Sequence, residues 1–232
     1  MSNLKLSKRL AAAAELVREG VFIADVGTDH AYLPIALTLD GRIRGAVASD
    51  VNKGPVERAR GHVASYGLNK KIEVCLADGL CGIEKYSPED IFILGMGGEL
   101  IVAILSRAPW IRERGKRLIL QPMTHPEAVR RFLYSAGFEI IDETIVRDDK
   151  IYQIICAEYT GAVASSVTEL ELMFGSLNLS RGGALLGEYL CHWVDILTER
   201  RDGKKRGADA DTSYEDELLE QIRKILLKET EK

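Results

Sequence analysis

Apolar and polar residues change their period along this chain in a regular way. Short apolar runs of strand length at 21–26, 45–51, 72–76 and 90–98 alternate with segments whose apolar residues recur every three or four positions. Residues 5–19 place Leu6, Leu10, Ala13, Ala14 and Val17 on one helical face, closed by Gly20. A helix over 32–39 carries Pro34 in its first turn, where a missing N–H costs nothing. Pro55 opens another, with Val56, Ala59, Val63 and Tyr66 in register up to Gly67. A glycine cluster follows the run 90–98, then a helix to Leu105, a short strand at 118–120 ending before Gln121-Pro122, and a helix from His125 to Ala136. Residues 138–146 and 151–159 alternate around the turn Arg147–Lys150, which reads as an antiparallel hairpin at a sheet edge. Crossovers between parallel strands are right-handed, so the expected architecture is α/β: a mostly parallel seven-stranded sheet, helices on both faces and an antiparallel edge.

Beyond about Gly161 only the helical period persists. Leu170, Met173, Phe174 and Leu177, then Leu186, Leu190, Trp193 and Leu197, then Leu218, Ile222, Ile225 and Leu226 fall at spacings of three or four. The interval 199–217 has two glycines, many charges and no apolar period, and is expected to be a flexible tip. The chain therefore divides into an α/β domain, 1–160, and a small C-terminal α-helical domain, 161–232, read as an antiparallel coiled coil.

Composition narrows the function. With 232 residues, 46% hydrophobic and 28% charged, the chain can bury a full core. Its formal net charge of −4 means that a polyanion must be met by a local basic surface, not by the whole molecule. Cys75, Cys81, Cys156 and Cys191 form no C-x-x-C pair and have no histidine at ligand spacing, so they read as reduced, buried thiols with no metal. The early LAAAAELV is too short for a signal segment and no run reaches membrane-spanning length, which predicts a cytoplasmic protein.

The segment VFIADVGTDHAYLP, residues 21–34, organises the rest. A buried strand runs into a turn at Gly27, the point where open parallel sheets hold their ligands. It is not the G-x-G-x-x-G of dinucleotide sites, because Asp25, Asp29 and His30 surround a single glycine and two carboxylates would repel a pyrophosphate. They suit a ligand with an ammonium and ribose hydroxyls and no phosphate, which describes S-adenosyl-L-methionine. Asp50, closing the second strand, stands where nucleotide-binding sheets put an acid for ribose hydroxyls.

Taken together, VFIADVGTDHAYLP, ASDVNKGP, LADGL, ILGMGG and LQP resemble the bacterial tRNA (adenine-N1)-methyltransferases that modify adenine 22 of the D-arm. The resemblance spans the whole chain and implies a class I, Rossmann-like methyltransferase domain followed by a helical coiled-coil domain. It implies S-adenosyl-L-methionine as cofactor and tRNA as partner. No metal, no membrane and a monomer are expected.

Residue by residue, the resemblance sets Asp25 and Gly27 at the methionine part of the cofactor and Asp50 at its ribose, with Thr28, His30 and Val51 as further cofactor contacts. Asp78 and Gly79 fall to its adenine, and Ala77, Gly95, Met96 and Gly97 complete the cofactor-binding set. Those glycines stand where amino-directed methyltransferases carry an Asn or Asp followed by Pro-Pro, and the absence of that motif favours a ring nitrogen as target. Asp29 is the first candidate catalytic group, facing the charge that develops on the base, with a helix N-cap as its plain structural alternative. His30 orients the base or that carboxylate, and Tyr32 stacks on an extruded adenine. Arg107, Arg112, Arg114, Lys116 and Arg117, expected beside the carboxyl edge of the sheet, form one phosphate-binding group. Lys204, Lys205 and Arg206, with Arg200 and Arg201, form a second. A methyltransferase for a small molecule and a non-catalytic RNA-binding module remain open alternatives at this point.

Overall fold

The computed structural model describes residues 4–163, 166–206 and 211–230, without the side chains of residues 229 and 230. It divides into two compact units, Met1–Ser166 and Val167–Lys232.

In the first unit a helix, α1 (Lys8–Ala14), precedes seven strands. These are β1 (Phe22–Val26), β2 (Gly45–Asp50), β3 (Ile72–Leu76), β4 (Asp90–Gly97), β5 (Arg117–Thr124), β6 (Phe138–Arg147) and β7 (Ile151–Tyr159). Four helices connect the first six: α2 (Tyr32–Leu39), α3 (Lys53–Ser65), α4 (Gly98–Ser106) and α5 (Pro126–Ser135). The sheet order is β3-β2-β1-β4-β5-β7-β6, parallel through β5 and antiparallel at β7 and β6. Connections run outward in opposite directions from β1 and β4, so the switch point lies between these two strands, and ligands bind at the carboxyl ends beside such a point. The central strands β1, β2, β4 and β5 carry nearly continuous buried runs because both faces are covered, whereas the edge strands β3 and β6 alternate buried with exposed positions. One cluster packs Ile23, Ala46, Ala48 and Phe92 with Ile35 and Leu37 of α2; the other packs Ala24, Ile91, Ile93 and Leu118 with Ile101, Ile104 and Leu105 of α4.

The N-terminal helix is shorter than its apolar period, 8–14 instead of 5–19, with Ser7 as N-cap accepting from Leu10 N. Beyond it the chain is tied down by Arg18, whose backbone N–H and Nε both donate to the buried carboxylate of Asp90, each at 2.8 Å. The fifth strand is longer than expected and extends through Gln121-Pro122 to Thr124, because irregularities in the β4–β5 register at Met96 let the two strand ends stay paired past a proline.

The second unit holds α6 (Glu169–Phe174), α7 (Ser176–Arg181), α8 (Ala184–Arg206) and α9 (Ser213–Thr230). Thr168 and Glu171 form a capping box at α6, and Gly175, at φ 87°, breaks the period between α6 and α7. Leu186, Leu190 and Leu197 of α8 and Leu218, Leu219 and Ile222 of α9 are buried. Those two helices run antiparallel, with Lys204 near the end of one paired at 2.9 Å with Glu215 in the first turn of the other. The expected tip over 199–217 is corrected here: α8 continues to Arg206 and α9 starts at Ser213. The charged stretch is helical because its residues pair along and between the helices, Arg201 with Asp202 and Asp216, and Arg206 with the Asp202 carbonyl. Residues 207–210 of that interval lie outside the described residues.

Among the described residues no helix is long and apolar enough to cross a membrane, and no group of His, Cys, Asp and Glu is placed to hold a metal ion. Cys156 is buried, and burial pushes its thiol up to about 12; Cys75 is half-buried and raised for the same reason. Cys81 and Cys191 are exposed, correcting the expectation that all four thiols are buried.

Candidate active site

A cavity of about 330 Å³ opens at the switch point, within the ~300–1,000 Å³ range of small-molecule sites. Asp25, Gly27, Thr28, Asp29, His30, Tyr32 and Gly95 line it, so seven residues singled out from sequence border one cavity. The β1 turn is fixed by two backbone bonds, Gly27 N–H and Thr28 N–H both donating to the Ser49 carbonyl at 2.8 and 2.9 Å. Gly27 sits at φ 81°, and a Cβ there would fall 2.1 Å from Met96 Cε. Both constraints demand glycine. Gly98 is required for a different reason: its Cβ would lie 2.2 Å from the His125 carbonyl oxygen, so the start of α4 and the end of β5 touch through backbone.

Asp25 is the more deeply buried of the two acids that line the cavity. It is 8% exposed, and desolvation raises its carboxyl from 3.8 to about 6, against the lowering effect of a hydrogen bond from Thr28. A buried carboxylate facing a cavity favours a cationic ligand group, which restores its solvation. Arg9 of α1 lines the same cavity, next to Gly95 and within hydrogen-bond reach of the Gln121 amide oxygen. Gln121 is fully buried and also accepts from Gly95 N–H at 3.1 Å, which holds the glycine turn of β4. A carboxylate at one end of the cavity and a guanidinium on its wall fit the ammonium and carboxylate of an amino acid, and therefore the methionine portion of S-adenosyl-L-methionine.

Asp50, Val51, Ala77, Asp78 and Gly79 lie on the neighbouring strand ends of β2 and β3 and do not line this cavity. Asp50 Oδ1 accepts from Asn52 N–H at 2.7 Å, leaving its second oxygen for a ribose hydroxyl. Val51 and Leu76 are exposed apolar residues beside it, a surface for a planar ring. Gly79 packs on Ile104 of α4. Asp78 borders a separate cavity with Leu80, Ile104 and Trp110 and is held by Arg107, at 2.8 and 3.1 Å, which keeps its carboxyl below the usual range. Met96 reaches over Gly27, and Gly97 neighbours Thr124 Oγ1.

At the cavity mouth Asp29 is exposed and is not a helix cap. The N-cap of α2 is Ala31, at φ 55°, and the side chain that bonds its N–H is Thr28, at 3.0 Å. Asp29 instead pairs with Arg58 of α3, which holds its carboxyl below the ordinary range, and with His30 Nε2 at 3.1 Å. The rings of His30, Tyr32 and His62 are near-parallel, with centroids 4.9, 5.0 and 5.4 Å apart. Arg58 and His62, one turn apart on α3, were not singled out from sequence; their i, i+4 spacing after the second strand was the available signal. Arg9, Leu10, Leu94 and Gln121 were likewise missed as lining or supporting residues. Arg9 lies beside an apolar helical stripe and carries no signal of its own.

The basic segment 107–117 needs correction. It leads into the start of β5, where Arg117 stands beside Asp90, the first residue of β4, so its end lies at the amino edge of the sheet, opposite the cavity. Arg117 is paired with Glu158 at 2.7 Å and donates to the Leu16 carbonyl, Lys116 donates to the Pro88 carbonyl, and Arg107 holds Asp78. Arg112 and Arg114 are exposed. Lys204 is engaged with Glu215, while Lys205 and Arg206 are exposed on the last turn of α8.

Comparison with known proteins agrees with this geometry. Residues 6–155 match the family described as a methyltransferase domain. The tRNA (adenine(22)-N(1))-methyltransferase of Bacillus subtilis is 38% identical over 191 residues, 82% of this chain and 76% of that one. The crystal structure of the B. subtilis tRNA methyltransferase TrmK superposes with a TM-score of 0.86 at 31% identity, covering 97% of this chain and 100% of that one. Sp1610 of Streptococcus pneumoniae, solved in complex with S-adenosyl-L-methionine, gives 0.85 at 31% identity, covering 96% and 100%. A buried carboxylate beside a single-glycine turn, on a sheet of this order and with these relatives, has one reading: the chain belongs to the bacterial tRNA (adenine(22)-N(1))-methyltransferase family.

Proposed function

We infer that this protein transfers the methyl group of S-adenosyl-L-methionine to N1 of adenine 22 in tRNA, acting in the cytoplasm as a monomer. The observation that carries the reading is the pairing of two acids across one cavity. Asp25 lies buried at its floor, suited to an ammonium, and Asp29 stands at its mouth, ionised by Arg58 and His30.

When bound, the cofactor supplies an electrophilic methyl group on a sulfonium. Adenine N1 has an in-plane lone pair and attacks without losing a proton, so the site needs no strong base. Its work is alignment and stabilisation of the cation that appears on the base. Asp25 and Arg9 hold the amino-acid end, and Asp50 the ribose. Asp78, kept rigid by Arg107, accepts from the cofactor's exocyclic amine. Asp29 lies where it faces the charge arriving on the base, and the rings beside it offer a parallel surface to an extruded adenine. Lys205 and Arg206 contribute to phosphate contact, which is sequence-independent and salt-sensitive.

The test is methyl incorporation from labelled cofactor into unmodified tRNA, compared with a transcript carrying guanine at position 22. Label should enter the first and not the second, and transfer should fall steeply with salt. Equal labelling of both would refute the target, and salt-independent turnover of a small acceptor would favour a small-molecule enzyme.

A further inference from the structure

The end of β4 carries a residue that β5 does not pair. Leu94 stands opposite Gln121 and Met96 opposite Pro122, so Gly95, at φ 76°, has no partner in the neighbouring strand. Its N–H would lack an acceptor in the ladder, but the Gln121 side chain turns across the gap and its Oε1 accepts it at 3.1 Å. The same oxygen accepts from Arg9 Nη1. A backbone N–H and a guanidinium can only donate, so two donors meeting at one atom fix it as the oxygen and settle the orientation of the amide. Nε2 then donates to the Pro122 carbonyl at 3.0 Å and lies 3.5 Å from Met123 Sδ. Gln121 has no exposed surface, and both of its polar atoms are bonded.

Arg9 is the half-buried partner in this arrangement and lines the cavity. Its guanidinium lies so close over Gly95 that a Cβ there would fall 2.9 Å from Nη1. The Tyr152 ring, with its centroid 5.6 Å from the guanidinium carbon, supports it on another side. Among the described residues nothing bonds Nη2 or Nε, so these donors remain for a ligand. We propose that Gln121 is a positioning residue, which holds Arg9 for the carboxylate of the cofactor's amino-acid end and thereby sets how tightly that end is gripped. The inference rests on the reading of Arg9 at that carboxylate. A long, flexible side chain loses less freedom on binding when an acceptor has already oriented it. The acceptor is also neutral. An amide orients the guanidinium without cancelling its charge, whereas a carboxylate in the same place would compete with the ligand's own. Gln121 further ties the grip to the Gly95 turn, so the anchor and the end of β4 keep one spacing, and a ligand held by the first stays in register with the second.

The experiment measures binding by calorimetry, without tRNA, of S-adenosyl-L-methionine and of its decarboxylated analogue, which keeps the adenosine, the sulfonium and the ammonium. The ratio of the two Kd values reads the carboxylate alone, because damage elsewhere in the site weakens both ligands alike and cancels. Wild type should prefer the ligand with the carboxylate by about tenfold or more, the size of a hydrogen bond between charged groups. Gln121→Met, which matches the side chain in length but removes the acceptor, should bring that preference to within about threefold, and Arg9→Met should do the same. In the double variant the second substitution should change the ratio no further, since both remove the same grip. Gln121→Asn draws the oxygen back by a methylene and keeps an amide in the buried site; it should move the ratio in the same direction, and it serves if Gln121→Met does not fold. The wild-type ratio retained in a folded Gln121 variant, with both ligands weakened equally or not at all, would overturn the inference and leave the cofactor assignment standing. A wild type that binds both ligands equally well would refute the reading of Arg9 at the carboxylate first, and this inference with it.

Discussion

Replacing Asp25 by asparagine should stabilise the protein and disable it. The carboxyl titrates near 6 in the folded chain against 3.8 as its ordinary value, and burial is the cause. Because the folded value is the higher one, the folded state holds the proton more tightly than the unfolded state. Its stability therefore falls as pH rises through the window from 3.8 to about 6 and levels off above it. Two pH units and a little more, at about 1.4 kcal/mol each, make the ionised carboxylate cost about 3 kcal/mol at pH 8 and only about 1 kcal/mol near pH 4.5. Asparagine has the same shape, keeps an oxygen for Thr28, and carries no charge to desolvate. Urea unfolding of both proteins without cofactor should give Asp25→Asn an advantage approaching 3 kcal/mol at pH 8 that shrinks as the pH falls. Cofactor binding should move the opposite way, weakening more than tenfold at pH 8 through loss of a charge-assisted hydrogen bond. Wild-type affinity should itself decline below about pH 6 as the carboxyl protonates. An equal stability difference at both pH values would refute the burial argument, and unchanged calorimetric binding would remove Asp25 from the cofactor site.

Four further perturbations bear on other parts of the account. Asp50→Ala should weaken cofactor binding by about 1–3 kcal/mol through a lost ribose acceptor, measured by calorimetry, with tRNA affinity unchanged. Asp29→Asn should leave cofactor Kd near the wild-type value and lower single-turnover methyl transfer by about tenfold or more, since the charge facing the base is gone; turnover within twofold of wild type would argue that Asp29 serves only to hold Arg58 and His30. Gly98→Ala forces a Cβ to 2.2 Å from a backbone oxygen, and should lower unfolding stability by about 3 kcal/mol, an effect that a shift in the thermal midpoint would register. Substituting Lys205 and Arg206 by alanine should weaken tRNA binding and flatten its dependence on salt by roughly one to two in log–log slope, without touching cofactor affinity; an unchanged slope would exclude the end of α8 from the RNA surface.

The sheet was legible because its central parallel strands are written as continuous apolar runs and its edge hairpin as alternation, and β3 (Ile72–Leu76) and the antiparallel β7 (Ile151–Tyr159) could be bounded to the residue. The turn at Gly27 was legible too, since a strand, a glycine and two acids in succession restrict the ligand's charge. Charged segments were less so. The stretch after Leu197 reads as a loop on apolar period alone, yet α8 continues to Arg206 because ion pairs such as Lys204 with Glu215 take the place of an apolar stripe. Residues 112–117 look like a free basic patch until the topology puts Arg117 at the amino edge against Glu158. The partners of Asp29 were hidden for a related reason. Arg58 reaches it from α3 across the β1–β2 pair, and His62 one turn on stacks on the neighbouring His30, contacts that depend on the placement of a crossover helix and not on any local pattern.

The central claim is tested most directly by locating the modified atom. After incubation of unmodified tRNA with the protein and S-adenosyl-L-methionine, reverse transcription should arrest immediately before position 22, because a methyl group on N1 blocks pairing, and the arrest should vanish without cofactor. Arrest at another nucleotide, or incorporation of labelled methyl with no arrest at all, would contradict the assignment of adenine N1 in the D-arm as the target.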